Sequence, residues 1–359
     1  MQDRPLDVAN VKAVLDELKD PESGRSVVVM QQLHDVQVEA NTIRVRLGLT
    51  THSAPLWDAT IQESQSMLKR AFPQASQIEV IREIHHRSPE KIGEIGLAAK
   101  SVIVVGSGKG GVGKSTVAAS LAYGLSRAGA VVGLVDADVY GPSIPQLLGV
   151  EGRPSVADNR ILPMEKDGIK VMSMGFLVPP GEAVVWRGPM LHGAITQFLR
   201  DTAWGELDYL IIDMPPGTGD IALTLSQLLP LSGAVVVCTP QEVALLDAVK
   251  AIAMFRKVNI PLLGMVENMS GFICPDTGKR YDIFGRGGAE RKAREMDVPF
   301  LGELPINIGI REKGDRGETS RVFDDPTTSS YLETITRNLA LNLAERSKGD
   351  PPLPTLSVL

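Results

Sequence analysis

Apolar positions along the chain change their period near residue 100. Before that point Val11, Val14, Leu15 and Leu18 recur at helical spacing, and Gly24 follows closely enough to end that helix. Ile43, Val45, Leu47 and Leu49 alternate with Arg44, Arg46 and Gly48, the pattern of a half-buried strand. Trp57, Ile61, Leu68 and Phe72 suit one face of a second helix, and residues 78–84 read as a closing strand. These elements predict a small α+β domain over residues 1–85. Residues 86–100, with one proline, two glycines and mixed charges, read as a linker. From Ser101 onward, short apolar runs without alternation interrupt helical stretches: SVIVVG, VVGLVD, IKVMSMG, LDYLIID, GAVVVCT, PLLGMVEN and VPFLGELP. Strands buried on both faces have this signature. The expected class is therefore α/β, with a mainly parallel sheet covered by helices on both faces over residues 101–346. The Pro-rich end, residues 347–359, predicts a mobile tail.

Composition narrows the picture. A chain of 359 residues suits two domains at roughly 150 residues each. Hydrophobic residues at 43% and charged residues at 22% argue against wholesale disorder. A net charge of −6 argues against a protein that coats nucleic acid. No apolar run approaches the ~18–20 residues of a membrane helix, and no secretory pattern opens the chain. With two cysteines, Cys238 and Cys274, neither a disulfide framework nor a self-contained four-cysteine metal site is available in one chain. This usage fits a reducing cytoplasm, without a membrane or nucleic-acid partner.

The strongest chemical signal is Gly108-Lys109-Gly110-Gly111-Val112-Gly113-Lys114-Ser115, followed by Thr116. It satisfies G-x-x-x-x-G-K-[ST] between an apolar strand and a helix-prone stretch. Glycines let backbone N–H groups converge on phosphate oxygens, and the helix N-terminus adds partial positive charge. Lys114 is placed to reach β- and γ-phosphates and Ser115 to ligate Mg²⁺. Two further apolar runs end in carboxylates. Asp136, in VVGLVDAD, is placed to hold a magnesium water and Asp138 to orient an attacking water. Asp213 closes LDYLIID, which resembles a Walker B strand, so it would hold Mg²⁺ through water. The turn Met214-Pro215-Pro216-Gly217-Thr218 directly after it is a candidate switch loop. Lys109 inside the loop resembles the deviant Walker A ATPases. That likeness implies a lysine that crosses a dimer interface and stabilises charge at the partner's nucleotide.

Together GKGGVGKS, DADVYGPS (136–143), WRGPM (186–190), WGELDYLIIDMPPGTGD (204–220), TPQEVALLD (239–247), VENMSGF (266–272) and IFG (283–285) resemble the Mrp/ApbC family of iron–sulfur cluster carrier ATPases. The PESG and LTTHSAP segments of the N-terminal block resemble the MIP18-type domain that often precedes this ATPase. The resemblance implies a P-loop NTPase of the MinD/ParA-like superfamily that forms a homodimer and hydrolyses ATP with Mg²⁺. It implies a [4Fe–4S] cluster passed from assembly scaffolds to apoprotein recipients. It also implies that Asn268 and Pro305 lie near the adenine base.

The chain departs from that family at two points. Members commonly carry C-x-x-C before the IFG run, whereas here the segment reads Cys274-Pro275-Asp276-Thr277. A dimer would offer two Cys274 thiolates as cluster ligands, and oxygen donors or small thiols would have to fill the rest. Cys238 lies in an apolar run and reads as core. In the N-terminal block, family versions often have a cysteine in the loop after LTT, where this chain reads Thr50-Thr51-His52-Ser53-Ala54-Pro55; His52 is a stand-in ligand by that resemblance but reads better as a surface residue, as do His85 and His86. His192 reads as packed on or near a helix, and Trp186, Trp204 and Phe198 as core or interface. Two rival readings share the phosphate loop. A ParA/MinD-like spatial organiser would want a basic patch or a basic amphipathic C-terminal helix. A nucleotide-gated scaffold would bind partners without a stable cluster.

Overall fold

The structure is a computed structural model that describes residues 4–139, 141–177, 188–217 and 219–349. It divides into a smaller unit, residues 1–87 with the stretch from Ala340, and a larger unit, residues 88–339. In the smaller unit, α1 (Val8–Leu15) starts where the Asp7 carboxylate accepts the Asn10 N–H at 2.8 Å. A sheet of β1 (Leu33–Glu39), β2 (Thr42–Leu49) and β3 (Gln77–Ile84) carries α1 and α2 (Trp57–Ala71). β2 is antiparallel to β1 and parallel to β3. Val11, Leu15, Leu18, Ile43, Leu47, Leu68 and Phe72 are fully buried between sheet and helices. Gly24 does not end α1, which stops at Leu15. It takes φ +66° in a later turn, where a Cβ would meet the Lys348 backbone at 2.8 Å.

The larger unit is built on seven parallel strands that coincide with the seven apolar runs. They are β4 (Leu97–Gly106), β5 (Val132–Asp136), β6 (Ile169–Ser173), β7 (Leu207–Asp213), β8 (Gly233–Cys238), β9 (Leu262–Ile273) and β10 (Phe300–Ile306). Their order is β10-β9-β8-β4-β7-β5-β6. Between and after them run α3 (Lys114–Ala128), α4 (Ile144–Leu148), α5 (Gly188–Asp201), α6 (Gly219–Leu228), α7 (Glu242–Lys257), α8 (Gly288–Glu295), α9 (Ile308–Asp315) and α10 (Pro326–Gly349). Val102, Val104, Leu210, Ile212, Ala234 and Val236 pack with α5, α6, α7 and α8 in one apolar cluster. The alternate positions Ile103, Val105, Ile211 and Val235 are equally buried on the opposite face, which α3 covers. Both faces are thus apolar, and alternation vanishes from the sequence. Trp204 and Phe198 lie in this core, and His192 sits on α5 with Nδ1 3.2 Å from Thr224 Oγ1.

Two boundaries differ from the expectation. Residues 86–100 are not linker throughout, because Lys91–Ile92 pairs antiparallel with Leu97–Ala98 and β4 begins at Leu97. Only every second residue of Leu97–Lys100 is fully buried, so this start lacks the continuous apolar run. Ser347–Gly349 close α10 rather than open a tail, and residues 350–359 lie outside the described residues.

Candidate functional site

β4 delivers the chain to the C-terminal edge of the sheet at Gly106, and the glycine loop then turns it into α3. Gly111 and Gly113 take φ +80° and +79°, a region open to glycine without strain. Gly113 caps α3 with no side-chain hydrogen bond, so the first N–H groups of the helix have no side-chain cap there. A Cβ on Gly111 would meet nothing within 4 Å, and one on Gly110 only Pro216 at 3.9 Å. The loop is therefore open at these two positions. Gly108 is needed for a different reason, since its Cβ would fall 2.0 Å from the Asp247 carbonyl of α7.

Lys114 and the carboxylates meet as the motifs suggested. Lys114 Nζ lies 2.6 Å from Asp213 Oδ1, 3.2 Å from Ser115 Oγ and 3.8 Å from Asp138 Oδ2, and the lysine side chain is 7% exposed. Asp136 and Asp213 face each other across the β5–β7 register and are both fully buried. Asp136 accepts from the Asp138 and Ile144 N–H groups at 3.1 Å each and from Ser173 Oγ at 3.0 Å. Burial, with Asp213 beside it, pushes the Asp136 carboxyl up to about 7. Burial also raises Asp213 against the pull of Lys114. Asp213 Oδ2 is buried with no hydrogen-bond partner. The Asp138 carboxylate accepts the Gly141 N–H at 3.2 Å.

Lys109 is half-exposed, and its carbonyl accepts Ser107 Oγ at 2.9 Å. The switch-loop segment runs against the phosphate loop, with the Gly217 N–H donating to the Ser107 carbonyl at 3.1 Å. Thr218, Trp186 and Arg187 lie outside the described residues.

Asn268 and Pro305 stand inside strands rather than beyond them. β9 continues through VENMSGF to Ile273, and Pro305 is buried in β10 beside Leu304, the register partner of Asn268. Asn268 Nδ2 donates to the Val112 carbonyl at 2.8 Å. The β9 ladder becomes irregular just after Asn268, where Met269 takes φ +57°.

Cys274 sits at the tip of a hairpin in which Phe272 and Ile273 pair with Tyr281 and Arg280. The Thr277 hydroxyl and the N–H groups of Thr277 and Asp276 stabilise its thiolate and hold the thiol below its usual range. Thr277 thus acts on the Cys274 thiol from three positions further along the chain. Cys238 is buried core, and burial pushes its thiol up to about 12. Two histidine expectations are corrected. His52 is buried, because Thr51–Leu56 form a 3₁₀ turn packed into the smaller unit. His85 is half-buried with Nδ1 3.2 Å from His34 Nε2, while His86 is exposed.

A cluster of charges escaped the motif reading. Glu267, fully buried, accepts the Gly287 N–H at 2.8 Å and the Ala289 N–H at 2.7 Å. Glu303, its register partner, accepts from Arg280 at 3.1 Å and Arg286 at 2.9 Å. The one signal available was an acid inside the otherwise apolar run PLLGMVEN.

A glycine loop between a parallel strand and a helix N-terminus, with its lysine among acidic strand ends, defines a P-loop nucleotide-binding domain. Residues 98–342 match the family described as NUBPL iron-transfer P-loop NTPase, and residues 8–80 match the iron-sulfur cluster assembly protein family. The chain belongs to the NUBPL iron-transfer P-loop NTPase family. It is 44% identical over 348 residues to an iron-sulfur cluster carrier protein of Deinococcus radiodurans, covering 95% of this chain and 98% of the relative. The Escherichia coli protein of the same name is 42% identical, covering 94% and 91%. The mouse iron-sulfur cluster transfer protein NUBPL is 43% identical, covering 82% and 86%. Among solved structures, an ADP-bound nucleotide-binding protein of Archaeoglobus fulgidus superposes with a TM-score of 0.56 at 44% identity, covering 62% of this chain and 88% of that one. The cell division ATPase MinD of Pyrococcus furiosus shares the fold, with a TM-score of 0.50 at 24% identity over 66% of this chain and 97% of that one. Among the described residues no helix is long and apolar enough to cross a membrane.

Proposed function

We propose that this chain is a homodimeric, Mg²⁺-dependent ATPase of the cytoplasm that carries an iron–sulfur cluster as cargo from assembly scaffolds to apoproteins. The observation that carries this reading is Lys114, buried at the head of α3 among Asp138, Asp213 and Ser115. It stands in a chain that matches cluster carriers over nearly its whole length. When ATP enters, the N–H groups of Gly108–Gly113 cradle its phosphates and Lys114 exchanges its carboxylate partners for phosphate oxygens. Ser115 and Thr116 open the helix beneath them, and Asn268 and Pro305 flank the adenine. The donor set fits a hard divalent cation, because Asp213 Oδ2 is buried with no hydrogen-bond partner opposite the buried Asp136 carboxylate. Ser115, Asp136 and Asp213 would hold Mg²⁺, which would supply charge neutralisation at the phosphates. Asp138 orients the water that attacks the γ-phosphate, and Lys109 crosses to the opposite subunit's nucleotide. Water replaces ADP on the γ-phosphorus, inorganic phosphate leaves, and the loop after Asp213 loses its γ-phosphate contact. The dimer geometry then changes and alters the grip of the Cys274 hairpins on the cluster.

The test is anaerobic reconstitution with iron and sulfide, on wild type and Cys274→Ala in parallel. About four iron per wild-type dimer, lost in the variant, is the expected result for a bridging [4Fe–4S] cluster. Thr277 in place of a second cysteine favours one alternative, a nucleotide-gated scaffold. Intact ATP hydrolysis with no retained iron would establish it over the carrier.

A further inference from the structure

We infer that Glu267 and Glu303 are positioning residues that couple the phosphate loop to the Cys274 hairpin, so that nucleotide at the loop resets the geometry of the hairpin tip. The inference rests on the nucleotide half of the proposed function and is independent of the cluster half.

The coupling begins at the loop. Asn268 Nδ2 is hydrogen-bonded to the Val112 carbonyl, and a Cβ on Gly113 would fall 2.1 Å from the same nitrogen. The Asn268 amide therefore follows any change in loop shape. Glu267 is the next residue on β9, and adjacent strand residues point to opposite faces. Asn268 thus reads the phosphate loop while Glu267 holds the other side. There both carboxylate oxygens are engaged by backbone, Oε1 by the Gly287 N–H and Oε2 by the Ala289 N–H. Those two N–H groups open α8, which the chain reaches shortly after the hairpin's returning strand Arg280–Tyr281. Glu303 clamps the same hairpin from β10. It receives Arg280 on the returning strand and Arg286 further along, while Arg280 also donates to the Ser270 carbonyl at 2.7 Å. Ser270 Oγ lies 2.6 Å from both Glu267 Oε1 and Glu303 Oε2 and joins the two acids.

Two features let this assembly transmit rather than merely brace. The β9–β10 ladder lapses between Asn268 and Phe272, with Met269 and Gly271 at φ +57° and +71°, so the backbone at the hairpin root is not locked by sheet pairing. Cys274 itself closes the tip, its N–H donating to the Lys279 carbonyl at 2.9 Å and its carbonyl accepting the Gly278 N–H at 2.8 Å, so a change in the shape of the tip changes access to the thiol.

The readout is the alkylation rate of Cys274 by iodoacetamide in iron-free full-length protein, with and without a saturating non-hydrolysable ATP analogue and Mg²⁺. Mass spectrometry assigns the single product, since Cys238 is buried. Wild type should change rate about fivefold or more when nucleotide binds, the lower end of ordinary site-to-site coupling. Glu303→Gln should bind the analogue as wild type does and alkylate at one rate in both conditions. A purely structural role would shift both rates by the same factor and keep their ratio. If Glu303→Gln loses its fold by circular dichroism, Arg286→Gln decides by the same criterion, because that arginine is 53% exposed. A wild-type rate indifferent to bound analogue, or a variant that keeps the full response, overturns the inference. Calorimetry showing no binding of the analogue to wild type would instead overturn the nucleotide reading, and this inference with it.

Discussion

Gly111 and Gly113 have nearly the same φ yet differ in what alanine would meet. At Gly111 the substitution brings only the left-handed strain, about 1 kcal/mol. At Gly113 the new methyl must also displace the Asn268 amide. Gly113→Ala should lower urea stability more than Gly111→Ala and abolish nucleotide binding. Equal losses would mean that Asn268 yields freely. Lys109→Ala tests the crossing lysine: ATP hydrolysis by the purified variant should collapse while nucleotide still binds, and a wild-type rate would sink the trans role. The loop glycines, Lys114, Asp136, Asp138 and Asp213 were all legible, because each stands at the end of an apolar run or within a contiguous motif. Glu267 was not, since nothing in PLLGMVEN says whether its acid meets water or two backbone N–H groups.

At the scale of elements, α7 supports both the sheet and the loop. Phe255 is fully buried, and a Cβ on Gly106 would come 2.7 Å from its ring. Earlier on the same helix, the Asp247 carbonyl stands so close to Gly108 that a Cβ there would fall 2.0 Å from it. Phe255→Ala should cost about 3–5 kcal/mol by chemical denaturation. It should also weaken nucleotide binding, since a loosened α7 releases the loop. Unchanged affinity in the folded variant would show that the loop holds its shape without the helix. The seven parallel strands were readable because burial on both faces removes alternation. β1 was not, because Val36 alone among its seven residues is fully buried. Short pieces such as Arg280–Tyr281 are too brief for any period and exist through their partners.

Over the whole molecule, two units with separate cores should unfold in separable steps, and acid should distinguish them. Asp20 is fully buried in the smaller unit. Burial pushes its carboxyl up, but hydrogen bonds from Ser23, Arg87 and Gln32 outweigh that and hold it below the ordinary range. A carboxyl lowered on folding stabilises the folded form above its unfolded pKa, and that contribution fades as pH falls through the folded value. Stability of the smaller unit should thus drop below about pH 4, and Asp20→Asn should flatten that part of the profile. A pH profile identical to wild type would remove Asp20 from the account. By itself the sequence determined the α/β class, the phosphate loop, its acidic strand ends and the family, because these are written in contiguous runs whose period and residue types carry their own physics. Tertiary structure alone decided that Asn268 grips Val112, 156 positions away, that Glu267 and Glu303 meet the Cys274 hairpin, and that His52 is buried. Such pairings join distant stretches through sheet register and packing, and no local pattern encodes which distant partner a buried polar group will find.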